Sequence, residues 1–262
     1  MSKVVSLLIT LIVVVLIVIG VLTFGGGKTS DVSAFNKDKV YKIGVDPTSV
    51  PDNFYDANGK IVGFDPDLME AMAEVIGIKY EHVSMEFDGI IPALQNGNID
   101  LSLTGMFITP ERQKKIDFGD SYFESGIQIV VKSENDTIKD FDDLKGKKVG
   151  CAIGSAQSIY LRENGLSDEV IELTTESMFQ SLKTGHIDAM VISEDMIFDY
   201  NKKNNDLKPV GPVVARRGVS YGVAKGKNGE LLKELNRALS ELKKNGVYDK
   251  IYEKWYEGRP RD

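Results

Sequence analysis
From residue 40 onward the apolar residues switch repeatedly between period two and period 3.6, and this rhythm restricts the chain to one fold class. Residues 40–45 (VYKIGV) alternate as a strand does. After a turn-rich stretch, Gly63-Phe64-Asp65-Pro66 reads as a helix start, with Asp65 as cap and Pro66 at the first position. Leu68, Met69, Met72, Ala73 and Ile76 then form one apolar stripe before Gly77, which makes Met69 and Met72 core residues. Residues 80–83 are expected as a strand, 88–95 as a short helix ending near Gly97, and 99–103 as a strand. A second set starts near Gly126, with strands at 126–131 and 148–153, a helix at 155–164, then segments 178–183, 189–192 and 194–203. Leu231, Leu232, Leu235, Leu239 and Leu242 mark an amphipathic helix ended by Gly246, and a shorter helix follows with Tyr248, Ile251 and an anchoring Trp255. The fold class is therefore α/β. No short tandem repeat or low-complexity segment interrupts it.

The N-terminal segment has a different pattern. Residues 4–24 carry no charge and are broken only by Ser6, Thr10, Gly20 and Thr23. At 1.5 Å per residue such a run spans roughly 30 Å, the thickness of a bilayer core. A secretory signal has a shorter apolar stretch and an Ala-x-Ala-type site, which is lacking here, so an uncleaved anchor is the favoured reading. No cysteine follows the run, which excludes lipoprotein attachment, and residues 25–33 read as a flexible spacer. Segment 1–27 is thus assigned as membrane anchor or signal and 28–38 as linker. The domain is expected outside the cytoplasm, tethered to the outer face of the membrane, or secreted if the segment is cleaved. With three residues before the run, no cytoplasmic kinase or cyclase is expected in this chain.

The remaining composition excludes several function classes. Lys and Arg number 32 against 39 Asp and Glu, a net charge of −7, and no basic tract is present, so nucleic acid is not an expected partner. Cys151 is the single cysteine and lies in an apolar strand, which makes it a small hydrophobe and rules out an intrachain disulfide. His82 and His186 cannot assemble a zinc ligand set. His82 alternates along a strand, and His186 and the run Lys202-Lys203-Asn204-Asn205-Asp206 read as solvated. No metal, cofactor or catalytic group is expected.

Thr109-Pro110-Glu111-Arg112 looks like a helix start, with Thr109 as cap. Arg112 then places a cation where the helix dipole is already positive. It is either an ordinary surface arginine or a group that, with the free amides beside it, grips an anion through a two-point fork.

The ordered motifs go further. Gly44-Val45-Asp46-Pro47-Thr48, Gly63-Phe64-Asp65-x-Asp67-Leu68, Phe87-Asp88-Gly89-Ile90-Ile91-Pro92-Ala93-Leu94, Gly97-x-Ile99-Asp100, the Arg112 motif and Asp117-Phe118 follow in sequence. They continue through Leu144-Lys145-Gly146-Lys147-Lys148-Val149-Gly150, Gly154-Ser155, Gly185-x-Ile187-Asp188-Ala189 and the segment from Gly246 to Trp255. Over residues 39–258 this set resembles the polar amino-acid solute-binding proteins of ABC importers. The resemblance implies a type II periplasmic-binding-protein fold: two α/β lobes joined by two crossing hinge strands near 122–131 and 218–223, with ligand held between them. Lobe one would comprise 39–124 and 220–262, and lobe two 125–219.

The same resemblance implies roles for particular residues. Arg112 matches the arginine that binds the ligand carboxylate. Asp46 matches an acid that touches the ligand side chain, beside its reading as a turn former before Pro47. Phe87 matches a residue packed on the ligand, beside a core role. Gly105 and Phe107 flank the backbone facing the carboxylate, and Gly154-Ser155-Ala156-Gln157 matches a helix start that meets it from lobe two, beside simple capping by Ser155. Three positions depart from the pattern. Phe107 replaces a usual Ser or Thr, Ser193 replaces the usual Asp that balances the ligand ammonium, and Ser49 replaces an aromatic. Because an unpaired buried ammonium is costly, either Glu194 turns into the cleft or the ligand has no ordinary α-amino group. Glu194 is otherwise a helix-start acid.

The implied function is capture of an amino acid or related small carboxylate by closure, and delivery to an ABC permease, by a monomeric protein. Two alternatives use the same fold: a cyclohexadienyl-dehydratase-like enzyme with Glu194 or Asp46 as its acid, and a ligand-sensing subunit for a separate membrane receptor.

Overall fold
The computed structural model describes residues 35–259. Its strands are β1 (Val40–Val45), β2 (Thr48–Ser49), β3 (Asn53–Tyr55), β4 (Ile61–Val62), β5 (Lys79–Ser84), β6 (Leu101–Ser102), β7 (Ile116–Phe118), β8 (Phe123–Lys132), β9 (Lys148–Ala152), β10 (Glu169–Leu173), β11 (Ala189–Ser193), β12 (Leu207–Val219) and β13 (Gly222–Ala224). The helices are α1 (Phe64–Ile76), α2 (Ile90–Asn96), α3 (Pro110–Gln113), α4 (Ala156–Glu163), α5 (Thr175–Thr184), α6 (Glu194–Asn201), α7 (Gly229–Asn245) and α8 (Val247–Tyr256).

Two five-stranded sheets organise these elements, in the orders β5-β1-β6-β13-β7 and β10-β9-β11-β8-β12. The pairs β1 with β5 and β6, and β9 with β10 and β11, are parallel, which requires the crossover helices seen between them. The chain leaves the first sheet after β7, enters the second at β8, and returns from β12 to β13. It therefore crosses twice, at 119–122 and 220–221. Strands β8 and β12 pair antiparallel along most of their length, with register shifts between Val210 and Val214 and between Val214 and Arg217.

Each lobe has its own core. In lobe one, Leu68, Met69, Met72 and Ile76 of α1 are fully buried, together with Leu231, Leu235, Leu239 and Leu242 of α7, so both stripes legible in the sequence face inward. Each such side chain contributes roughly 1.5 to 3 kcal/mol of burial. Lobe two closes around Ile127, Ile129, Val149, Cys151 and Val191. An aromatic cluster fastens the crossing point to the last helix, with Phe123 stacked on Tyr256 at 5.0 Å between ring centres and Phe64 at 5.1 Å from Tyr256. Trp255 anchors α8 as expected, donating Nε1 to Asp67 Oδ2 at 2.7 Å. Cys151 is fully buried, and burial pushes its thiol up to about 12, so it packs as a small hydrophobe.

Several expectations change. The anchor of 1–27 and most of the linker 28–38 lie outside the described residues; among the described residues no helix is long and apolar enough to cross a membrane. The turn-rich stretch after β1 folds into a small three-stranded sheet, β2-β3-β4. Asp65 does not cap α1, which starts at Phe64 after Gly63. Its carboxylate instead accepts from Asn53 Nδ2 at 2.7 Å and from the Gly105 amide at 2.8 Å, so it fixes two loops at the lobe interior.

Candidate functional site
The crossing strands hold the two sheets so that a cavity of about 270 Å³ opens between them. Its lobe-one wall is built on the segment after β6. There the Ile108 amide donates to Gly218 O at 2.9 Å and the Ser220 amide to Met106 O at 3.1 Å, which pins Phe107 beside the returning strand. Gly105 has φ of 62°, a left-handed conformation that disfavours any residue with a Cβ, and Asp65 holds its amide.

Arg112 stands on the four-residue helix α3, capped by Thr109 Oγ1, which accepts from the Arg112 amide at 3.2 Å. That amide is therefore engaged by the helix's own cap. The side chain lines the cavity. It is 6% exposed, its guanidinium lies 5.1 Å from the centre of the Phe87 ring, Nη1 donates to Phe107 O at 2.9 Å, and Nη2 donates to Gly154 O across the cleft at 3.2 Å. Burial, then the nearby Arg217, lowers its pKa to about 10. Among the described residues no carboxylate pairs with it. A buried guanidinium without an acid is a receptor for an anionic oxygen pair.

The lobe-two wall is the start of α4. Ser155 caps the helix, accepting from the Ser158 amide at 3.2 Å, and also lines the cavity. Ala156 and Gln157 line it as well, and their first-turn amides have no intrahelical acceptor. Gln157 Nε2 donates to Ser193 Oγ at 3.0 Å. The preceding Gly154, with φ of 67°, lets the backbone approach Asp88 closely; a Cβ there would lie 3.3 Å from Asp88 Cβ.

Asp46, Phe87, Gly105, Phe107, Arg112 and Ser193 are brought to the same cavity. Asp46 is held as a turn residue, accepting from Thr48 Oγ1 at 2.9 Å and the Phe87 amide at 3.1 Å, and burial raises its pKa. Phe87 packs against the core cluster around Ile90 and also lines the cavity. Glu194 is the exception. It does not line the cavity but pairs with Arg216 Nη1 at 2.9 Å and Arg259 Nη2 at 3.3 Å.

The residue after it does face the cavity. Asp195 is 2% exposed and accepts from Ser125 Oγ, and Asp52 lines the cavity from lobe one with Tyr256 Oη donating to its Oδ1. Burial first, then Asp195 and Asp65, push the Asp52 carboxyl well up. Burial likewise raises Asp65 to about 6. Neither Asp52 nor Asp195 was legible as a site residue. The pair Glu194-Asp195 signals only an acidic helix start, and successive helical residues point about 100° apart, so one turns outward and one inward.

Residues 41–258 match the family model for bacterial extracellular solute-binding proteins, family 3. The L-cystine-binding protein TcyJ of Escherichia coli strain K12 is 35% identical over 217 residues, covering 82% of this chain and 81% of TcyJ. A solved structure of an ancestral arginine-binding protein bound to arginine superposes with a TM-score of 0.79 at 44% identity, covering 84% of this chain and 100% of that one. The ancestral amino acid-binding protein AncCDT-1, a precursor of cyclohexadienyl dehydratase, superposes with a TM-score of 0.77 at 37% identity, covering 83% and 96%. With its two α/β lobes, its double crossing and a buried arginine in the cleft between them, this chain belongs to family 3 of the bacterial extracellular solute-binding proteins.

Proposed function
We propose that this protein captures an amino acid or a closely related small carboxylate and delivers it to an ABC permease. Residues 39–124 with 220–262 form one jaw, residues 125–219 the other, and residues 1–27 tether the protein to the outer face of the membrane. The observation that carries this reading is Arg112, buried in the cleft without an acidic partner among the described residues and facing the start of α4. A carboxylate bridging Arg112 and the Ser155 helix start would touch both lobes. Ligand would then bind the closed form better than the open one, and this differential affinity is what lets binding drive closure. No bond is made or broken in this role, and the similarity to amino-acid-binding proteins supports binding without turnover.

The test is a thermal-shift screen of the full chain in mild detergent, stripped of ligand, against amino acids and small carboxylates. A ligand at a thousandfold its Kd stabilises by about 4 kcal/mol, which raises Tm by roughly 8 to 16 °C at this size. Absence of any shift across the panel overturns the reading.

A further inference from the structure
We infer that Asp52 of lobe one and Asp195 of lobe two jointly hold the α-ammonium of the ligand, with the Tyr122 hydroxyl as a third partner. This rests on the proposed capture of a carboxylate at Arg112. It places the ligand's positive charge on residues other than Ser193 and Glu194, and it makes the ligand a zwitterion rather than a plain acid.

Three observations converge on that end of the cleft. Asp195 Oδ1 accepts from Ser125 Oγ, while Oδ2 has no hydrogen bond among the described residues although the residue is 2% exposed. Tyr122 is also 2% exposed and lines the cavity, and its hydroxyl, close to the Asp65 carboxyl, makes no hydrogen bond of good geometry among the described residues. Asp52 Oδ2 has one long contact, 3.4 Å from Ser49 Oγ. Two buried carboxylates and a hydroxyl thus share one space with acceptor capacity to spare, and an ammonium supplies three donors.

No cation among the described residues forms an ion pair with either acid. Arg259 acts on Asp52 from nearby and its Nη1 is buried without a hydrogen bond among the described residues, but Nη2 goes to Glu194 Oε1 at 3.3 Å and the guanidinium lies 4.4 Å from the centre of the Phe123 ring. The charged side chains lining the cavity are Asp46, Asp52, Glu86, Asp88 and Asp195 against Arg112 alone, an excess of acid that favours a ligand carrying a cation.

Arg112 and Asp52 border the same segment of lobe one: Arg112 Nη1 holds Phe107 O at 2.9 Å, and Asp52 Oδ2 lies 3.6 Å from where a Cβ on Gly105 would stand. Because the two acids belong to opposite lobes, closure brings like charges together, and the ammonium offsets that repulsion only in the closed form.

The test is calorimetric titration of the ligand-stripped full chain with L-arginine, L-glutamine, L-histidine and L-cystine, each against its α-hydroxy acid counterpart. The expected result is at least one amino acid bound a hundredfold or more tighter than its hydroxy acid. Asp52→Asn and Asp195→Asn should each weaken that amino acid at least tenfold while leaving the hydroxy acid unchanged, a pattern that misfolding does not produce. Equal affinity for amine and hydroxyl in the wild type overturns the inference and leaves carboxylate capture standing. Retention of the preference in either folded variant overturns the sharing of the ammonium, and because the variants lie in different lobes, one that fails to fold leaves the other to decide. If no amino acid and no hydroxy acid binds the wild type, capture at Arg112 falls, and the ammonium site with it.

Discussion
Arg112 joins the two lobes through Gly154: its Nη2 donates to the Gly154 carbonyl oxygen at 3.2 Å while Nη1 holds Phe107 O on its own lobe at 2.9 Å. One guanidinium thus reports the position of both walls of the cleft. A carboxylate entering there meets a group whose orientation is already set by a backbone carbonyl and by the Phe87 ring.

Arg112→Ala should weaken binding of an amino-acid ligand by about 2 to 5 kcal/mol, because a buried charge pair loses one member. Arg112→Lys should recover little of this, since an ammonium cannot make the two-point contact. Calorimetry on both variants checks it, and wild-type affinity in either would remove the arginine from the site.

Asp65 gives the ligand-free protein a specific pH dependence. Burial raises its pKa from 3.8 to about 6, so between these values the folded chain keeps a proton that the unfolded chain has released. Stability from this group therefore falls as pH rises from about 4 to 6, by on the order of 3 kcal/mol. Urea unfolding at several pH values should show Asp65→Asn with a less negative slope over that window than wild type. Equal slopes would contradict the assignment.

Gly105→Ala should lower stability by about 1 to 2 kcal/mol, the cost of an L side chain in a left-handed conformation. The added methyl meets Asp52 Oδ2 at an ordinary 3.6 Å, so strain rather than collision is the cause. A drop in Tm of roughly 2 to 8 °C is expected. An unchanged melting curve would show that the backbone relaxes.

Glu194→Ala separates the outward acid from the cleft. It removes the contact to Arg216 and leaves the buried Arg259 without its acid, which should cost about 3 kcal/mol of stability while leaving ligand affinity within twofold. A large loss of affinity would bring Glu194 back into the site.

Local pattern made much of the fold legible. The stripes of α1 and α7, the strand β1, the buried Cys151 and the anchoring Trp255 follow from side-chain periodicity and burial preference, which act over a few residues. Short strands were harder to read. β2, β3 and β4 have two or three residues each and no period to detect, and their pairing depends on partners elsewhere in the chain.

Residue pattern alone is enough to establish an α/β chain with an apolar N-terminal run, an arginine in an unfavourable place at a helix start, and a second helix start at Ser155. What these residues face emerges from the folded arrangement. It turned Asp65 from a cap into a loop clasp, sent Glu194 outward to two arginines, and set Asp52 and Asp195 from different lobes around one space. The reason is that burial and charge pairing are properties of what surrounds a side chain, and in this fold those surroundings come from segments far apart along the chain.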